Sequence, residues 1–160
     1  MITLQEFTPA DFDRLKSWID SEATLVQFAG PIFQYPLTDA QLHAYLEEPQ
    51  RRVYKAMHQQ RPIGHAEILL SADGVAKLCR ILIGEAHDRG KGWGEQIVRA
   101  LVDICWQKFD VREIELNVYD WNTGAIRCYE KVGFVKRREK TFESQAGEET
   151  WRAMNMVLRR

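Results

Sequence analysis

Apolar and polar positions change period several times along the chain, and each change marks an element. Ile2, Leu4 and Phe7 predict a first strand. Thr8-Pro9 after it predicts a capped helix, because a threonine oxygen can accept from a free N–H of the first turn and proline fits the first helical position. Phe12, Leu15, Trp18 and Ile19 give that helix one apolar face. A second helix is predicted from Thr38, with Asp39 in its first turn and Leu42, Tyr45 and Leu46 inside. Ala23 to Pro36, between the two, reads as a loop rich in aromatic residues.

Arg52 to Gln59, Ile63 to Leu70 and Ala76 to Ile83 read as strands of an antiparallel meander, broken by Gln60-Arg61-Pro62 and Asp73-Gly74. From Trp93 to about Phe109 the positions Ile97, Val98, Leu101, Ile104 and Cys105 recur at helical spacing. Ile114 to Val118 then predicts a strand, and Asn122 to Lys131 a helix stopped by Gly133. Phe134 onward to Phe142 and Trp151 to Leu158 predict two last strands about a turn at Gln145-Ala146-Gly147. With no repeat, linker or low-complexity tract, residues 1–160 are expected to form one domain in which strands and helices share a mixed sheet.

Composition narrows the functional classes. Lys plus Arg total 22 against 23 for Asp plus Glu, so the net charge of -1 makes no field that would draw nucleic acid or an anionic membrane. Cys79, Cys105 and Cys128 are odd in number, lack CxxC spacing and sit among apolar residues, which fits reduced thiols in a cytoplasm. Met1 to Phe7 has neither the basic start nor the apolar run of a signal peptide, so a soluble, cytoplasmic protein is expected. His43, His58, His65 and His87 show no metal-ligand spacing, and no metal is expected.

Chemistry begins at Arg89-Gly90-Lys91-Gly92-Trp93-Gly94, between a strand and a helix. Glycines let the backbone bend and approach a ligand, and the free N–H groups and positive dipole end of a helix start suit a pyrophosphate. Arg89 and Lys91 add charge for the same anion; the alternative is a tight surface turn with solvated basic residues. A Walker-type loop would need Ser or Thr where Gly92 stands, and a dinucleotide fingerprint needs GxGxxG, which is absent.

This stretch resembles the Q/R-x-x-G-x-G/A signature of the GNAT acetyltransferase superfamily, with Arg89, Gly92 and Gly94 at its defining positions. Asn122 to Phe134 resembles the second signature, N-x-x-A-x-x-x-Y-x-x-x-G-F, on a helix leading into a strand. The resemblance implies an α/β (α+β) fold, a mostly antiparallel mixed sheet of about seven strands with about four helices. It implies acetyl-CoA as cosubstrate. The pyrophosphate would lie on Arg89 to Gly94, and the pantetheine arm would pair with the backbone of Ile81, Leu82 and Ile83. The tyrosine matching Tyr129 often protonates the departing thiolate in relatives.

The residues support part of this independently. Asn122 and Tyr129 lie two helical turns apart and project from one face. Asn122 can cap the helix or bind a ligand amide, and Tyr129 can give a proton to sulfur or simply pack. An alkylamine with a pKa near ~10.4 must lose a proton before it attacks, which asks for a carboxylate, and a backbone N–H should stabilise the oxyanion. Glu67, Glu85 and Asp120 are the candidates, each also readable as a solvated charge, and Glu67 leads. Some relatives carry a glutamate five residues before the motif asparagine, where this chain has Asn117. His65 would share the strand face of Glu67.

Phe28, Phe33 and Tyr35 are expected to shape an acceptor pocket for a small-molecule amine or a peptide N-terminus. The alternative function is a coenzyme A or acyl-CoA binding module without turnover. Exposed aromatics such as Trp151 on the last strands would allow a homodimer of the sort common in relatives.

Overall fold

In the computed structural model, which describes residues 1–160, the chain runs β1 (Ile2–Glu6), α1 (Phe12–Trp18), α2 (Glu22–Ala29), α3 (Asp39–Glu47), β2 (Arg51–His58), β3 (Arg61–Leu70) and β4 (Val75–Ile83). It continues through α4 (Trp93–Lys108), β5 (Glu113–Tyr119), α5 (Thr123–Val132), β6 (Val135–Ala146) and β7 (Glu149–Arg159). One seven-stranded sheet takes the order β1-β2-β3-β4-β5-β7-β6. Every neighbouring pair is antiparallel except β4 and β5, which run parallel. The mixed, mostly antiparallel sheet is the one the sequence predicted.

Five helices flank it, against about four expected. The extra one is α2, inside the predicted aromatic loop Ala23 to Pro36. Ser21 starts it by accepting from the Thr24 N–H at 3.1 Å, Leu25, Val26, Phe28 and Ala29 are buried, and Gly30-Pro31 ends it. A helix of eight residues carries little periodicity of its own and is held by the side chains it buries. Thr8 takes the N-cap position of the turn that follows β1, and the bond there runs from its N–H to the Asp11 carboxylate at 2.8 Å. That turn is a 3-10 turn over Pro9–Asp11 leading into α1.

Helices cover both faces of the sheet. On one face Ile97, Val98, Leu101 and Cys105 of α4 and Ile126 of α5 pack on Ala76 and Leu78 of β4, Ile114 and Leu116 of β5 and Met156 of β7. On the other, Phe12 and Leu15 of α1, Leu25 and Phe28 of α2, and Leu42 and Tyr45 of α3 enclose a smaller core with Phe7 and Val53. Each fully buried aliphatic side chain, such as Leu42 or Leu101, stabilises the fold by about 1.5–3 kcal/mol. No helix is long and apolar enough to cross a membrane.

Candidate active site

Parallel pairing of β4 with β5 stops early. Val75 to Leu78 pair with Glu113 to Leu116, and beyond them the two strands have no common register. Cys79 to Ile83 therefore keep β3 on one side and have no strand on the other. The opening is a cleft of about 840 Å³.

Its walls gather most of the residues singled out from sequence. Ile81, Leu82 and Ile83 line it from β4, Arg89, Gly90, Gly92, Trp93 and Gly94 from the loop and the start of α4, and Asn122 and Tyr129 from α5. Lys91 does not line it; its ammonium lies 5.2 Å from the centre of the Trp93 ring. Phe28 lines it from α2.

The glycine-rich loop is anchored beneath and open above. Asp88 is buried and accepts two hydrogen bonds from Arg61, at 2.8 and 2.9 Å. That guanidinium holds the Asp88 carboxyl below the usual carboxylate range. Arg89 donates from Nε and Nη2 to the Ile83 carbonyl, tying the loop back to β4. Gly90 and Gly92 take φ of 76° and 80°, the left-handed region that glycine tolerates best. A Cβ added at Gly90, Gly92 or Gly94 would meet no atom within 4 Å, so the space over the start of α4 is free for a ligand. Unpaired N–H groups at the first turn of a 16-residue helix suit an anion there. These residues fit a coenzyme A pyrophosphate.

Asn122 serves the helix and the cleft together: its side chain accepts from the Ala125 N–H at 3.3 Å while it lines the opening. Tyr129 packs edge-on against Phe134, at 6.2 Å between ring centres, and its hydroxyl has no partner within the chain. Burial pushes its phenol well above the usual tyrosine range, so it stays protonated.

The predicted base is elsewhere. Glu67 is fully buried and does not line the cleft. It is enclosed by Arg51 (2.7 Å), by Arg80 (3.2 Å) and by the Tyr45 hydroxyl, which donates to it. Phe33 and Tyr35 also miss the cleft. Phe33 packs against Tyr45 in the smaller core, and exposed Tyr35 donates its hydroxyl to the Asp20 carbonyl at 3.1 Å. The only carboxylates on the walls, Asp88 and Glu95, belong to the loop end and are paired with Arg61 and Arg99.

Sequence reasoning passed over Thr24, Gln27, Arg80 and Tyr119, which also line the cleft. Asn117, noted only as a departure, lines it as well. Thr24 and Gln27 come from α2, whose Ser21 cap and buried Leu25 and Phe28 were the available signal. Tyr119 donates to the Val26 carbonyl at 3.0 Å and so ties α2 to β5 across the opening. Tyr119 also stacks on Trp121 at 5.8 Å, and Trp151 meets both rings edge-on at 5.2 Å. Beside these rings a hollow of about 390 Å³ is lined by Asp120, Glu143, Arg152 and the two tryptophans, among others.

The acetyltransferase (GNAT) family model matches residues 13–134. The chain is 31% identical over 150 residues to the aminoglycoside N(6')-acetyltransferase type 1 of Klebsiella pneumoniae, covering 85% of this chain and 75% of that one. Among solved structures it resembles AAC(6')-Ib in complex with ribostamycin and coenzyme A, with a TM-score of 0.80 at 28% identity over 99% of this chain and 93% of the other. Spermidine N-acetyltransferase from Vibrio cholerae, in complex with coenzyme A and spermine, shares the fold with a TM-score of 0.83 at 17% identity, covering 99% and 95% of the two chains. These relatives are catalysts, which sets aside the alternative of a binding module without turnover. The chain therefore belongs to the GNAT acetyltransferase family and is an N-acetyltransferase that takes its acetyl group from acetyl-CoA.

Proposed function

We propose that residues 1–160 act as one acetyltransferase domain whose acceptor is a small molecule with several amino groups, of the aminoglycoside or polyamine kind, and that acetyl moves directly from thioester to amine. The observation that carries this is the likeness to an aminoglycoside N(6')-acetyltransferase over most of both chains. The hollow beside the cleft supports it. Trp121, 44% exposed, and Trp151 offer aromatic faces, and Asp120 offers negative charge beside the Glu143–Arg152 ion pair (3.8 Å), the chemistry that holds an ammonium group.

Each residue then has a task. The loop Arg89 to Gly94 and the first turn of α4 bind the pyrophosphate, and Lys91 contributes charge from outside the cleft. The free edge of Ile81 to Ile83 pairs with the pantetheine amides. Acetyl-CoA supplies an activated carbonyl, and the backbone of β4 offers an N–H to its oxygen as negative charge grows there. Tyr129 donates its phenolic proton to the leaving sulfur. Asn122 holds the start of α5 so that Tyr129 faces that point. The carboxylates on the walls of the cleft itself, Asp88 and Glu95, are paired with Arg61 and Arg99, so the ammonium loses its proton to water in the cleft mouth.

Release of coenzyme A would be followed with an aminoglycoside, spermidine and a peptide N-terminus as acceptors, for the wild type and Trp121→Ala. Turnover of the polycations, with KM for the amine raised about tenfold by the substitution, is the expected result. Turnover of the peptide alone would overturn this assignment of the acceptor.

A further inference from the structure

β4 changes register against β3 where it enters the cleft. Glu67 stands opposite Cys79 and His65 opposite Leu82, so Arg80 and Ile81 together face the single residue Ala66. This is a β-bulge, which leaves a residue out of the ladder and re-aims the strand. Arg80 takes φ of 50° within it, a conformation that a side-chain-bearing residue keeps only where its surroundings impose it.

The buried cluster behind β4 supplies that constraint. Arg80 Nε forms an ion pair with Glu67 Oε1 at 3.2 Å without hydrogen-bond alignment, and Arg51 Nη1 donates to Oε2 at 2.7 Å. The Tyr45 hydroxyl donates to Oε1, and both guanidinium groups lie over the Tyr45 ring, at 4.7 Å for Arg51 and 5.8 Å for Arg80. Both carboxylate oxygens are thus occupied by neighbours that reach them from α3, β2 and β4. Such a carboxylate has no open side on which to receive a proton from an acceptor amine, but it holds the Arg80 side chain in place. Arg80 and Ile81 also line the cleft where the thioester must lie.

We infer that Glu67 is a positioning residue for acetyl transfer: through Arg80 it pins the β4 bulge and so aims a backbone N–H of Arg80–Ile81 at the thioester carbonyl oxygen. This rests on the reading of the cleft as the acetyl-CoA site. As the amine attacks, charge accumulates on that oxygen, and a donor already aimed at it stabilises the transition state more than the bound thioester. Loss of aim should therefore slow turnover without weakening binding.

The test uses the full chain with Glu67→Gln, Arg80→Gln and the double substitution. Acetyl-CoA affinity is measured by calorimetry, kcat with a saturating amine, and the infrared carbonyl band of bound, carbonyl-labelled acetyl-CoA reports the hydrogen bond. Each single substitution should lower kcat by roughly 10- to 100-fold, leave affinity within about threefold, and return the band toward its free-thioester position. The double variant should be no slower than the slower single, since the pair acts as a unit. The shape of the kcat/KM pH profile should not change. A band unmoved by both single substitutions, or rate losses that multiply in the double, would overturn the inference alone. Flattening of the acid side of the pH profile by Glu67→Gln would overturn it in favour of a general base. Should Glu67→Gln not fold, Arg80→Gln decides by the same band. Failure of the wild type to bind acetyl-CoA would overturn the reading of the cleft and this inference with it.

Discussion

Tyr129 shows what a single residue can be asked to do at the proposed site. Its hydroxyl has no partner inside the chain, it lines the cleft from α5, and burial keeps it protonated above the usual tyrosine range. A raised pKa means that the acid form persists over a wider span of pH. Activity should therefore show no alkaline fall from this group below pH ~10, the ordinary tyrosine value. Tyr129→Phe removes only the hydroxyl, so kcat is expected to fall by about 100-fold while acetyl-CoA affinity is unchanged. Steady-state kinetics beside calorimetry checks both, and an unchanged kcat would return Tyr129 to a packing role. The pair Asn122 and Tyr129 was legible because both sit on one helix, where spacing fixes direction. Glu67 was not. Its partners Tyr45, Arg51 and Arg80 come from three separate elements, and no spacing along the chain reveals that they converge. That Phe33 and Tyr35 lie off the cleft was hidden for a related reason: aromatic content marks a stretch as apolar but does not say which way each ring turns.

Among the elements, the loop and the start of α4 work as one device. Gly92 is the last residue before α4 and holds φ of 80°, while Gly94, inside the first turn, has no positive φ. Substitutions at the two therefore separate strain from occupancy. Gly92→Glu adds backbone strain of ~1–2 kcal/mol and a negative charge where the pyrophosphate would lie, and should weaken acetyl-CoA binding by more than about 100-fold. Gly94→Ala carries no such strain, and its methyl group enters space that is open in the free protein, so any loss of affinity it causes reports a ligand in that space. Calorimetric titration measures both; undiminished binding in Gly92→Glu would remove the anion site from this loop. The strand–loop–helix junction was readable because three glycines interrupt one clear period and precede another. The splaying of β4 from β5 was not, since it follows from pairing that ends at Leu78 and Leu116 while both strands continue.

At the scale of the whole molecule, an ionisable ring is buried beside the smaller core. His65 is enclosed there, with Phe7 and Phe28 edge-on at 4.7 and 5.3 Å and its Nε2 3.2 Å from the Tyr45 hydroxyl. Because that hydroxyl gives its hydrogen to Glu67, the imidazole donates from Nε2, and its Nδ1 has no partner. Burial, reinforced by the charges of Arg80 and Arg14, pushes the His65 pKa down to about 3 from the ordinary 6.5. In the folded chain the ring is neutral; once unfolded it takes a proton below pH 6.5. The unfolded state thus binds more protons between those two values, and stability must fall as pH drops through that window. The contribution is about 2 kcal/mol between pH 7 and pH 5. Asp11 and Asp88, whose carboxyls are held below the usual 3.8, add to acid sensitivity only below that value, so the two effects separate along the pH axis. Denaturant unfolding at pH 7 and pH 5 is the measurement, with His65→Gln for comparison. The wild type should lose stability between the two conditions. The variant, less stable at pH 7 because its side chain does not fill the same space, should lose much less. A wild type equally stable at both values would show that the buried ring finds a partner for its second nitrogen and carries its charge inside the fold.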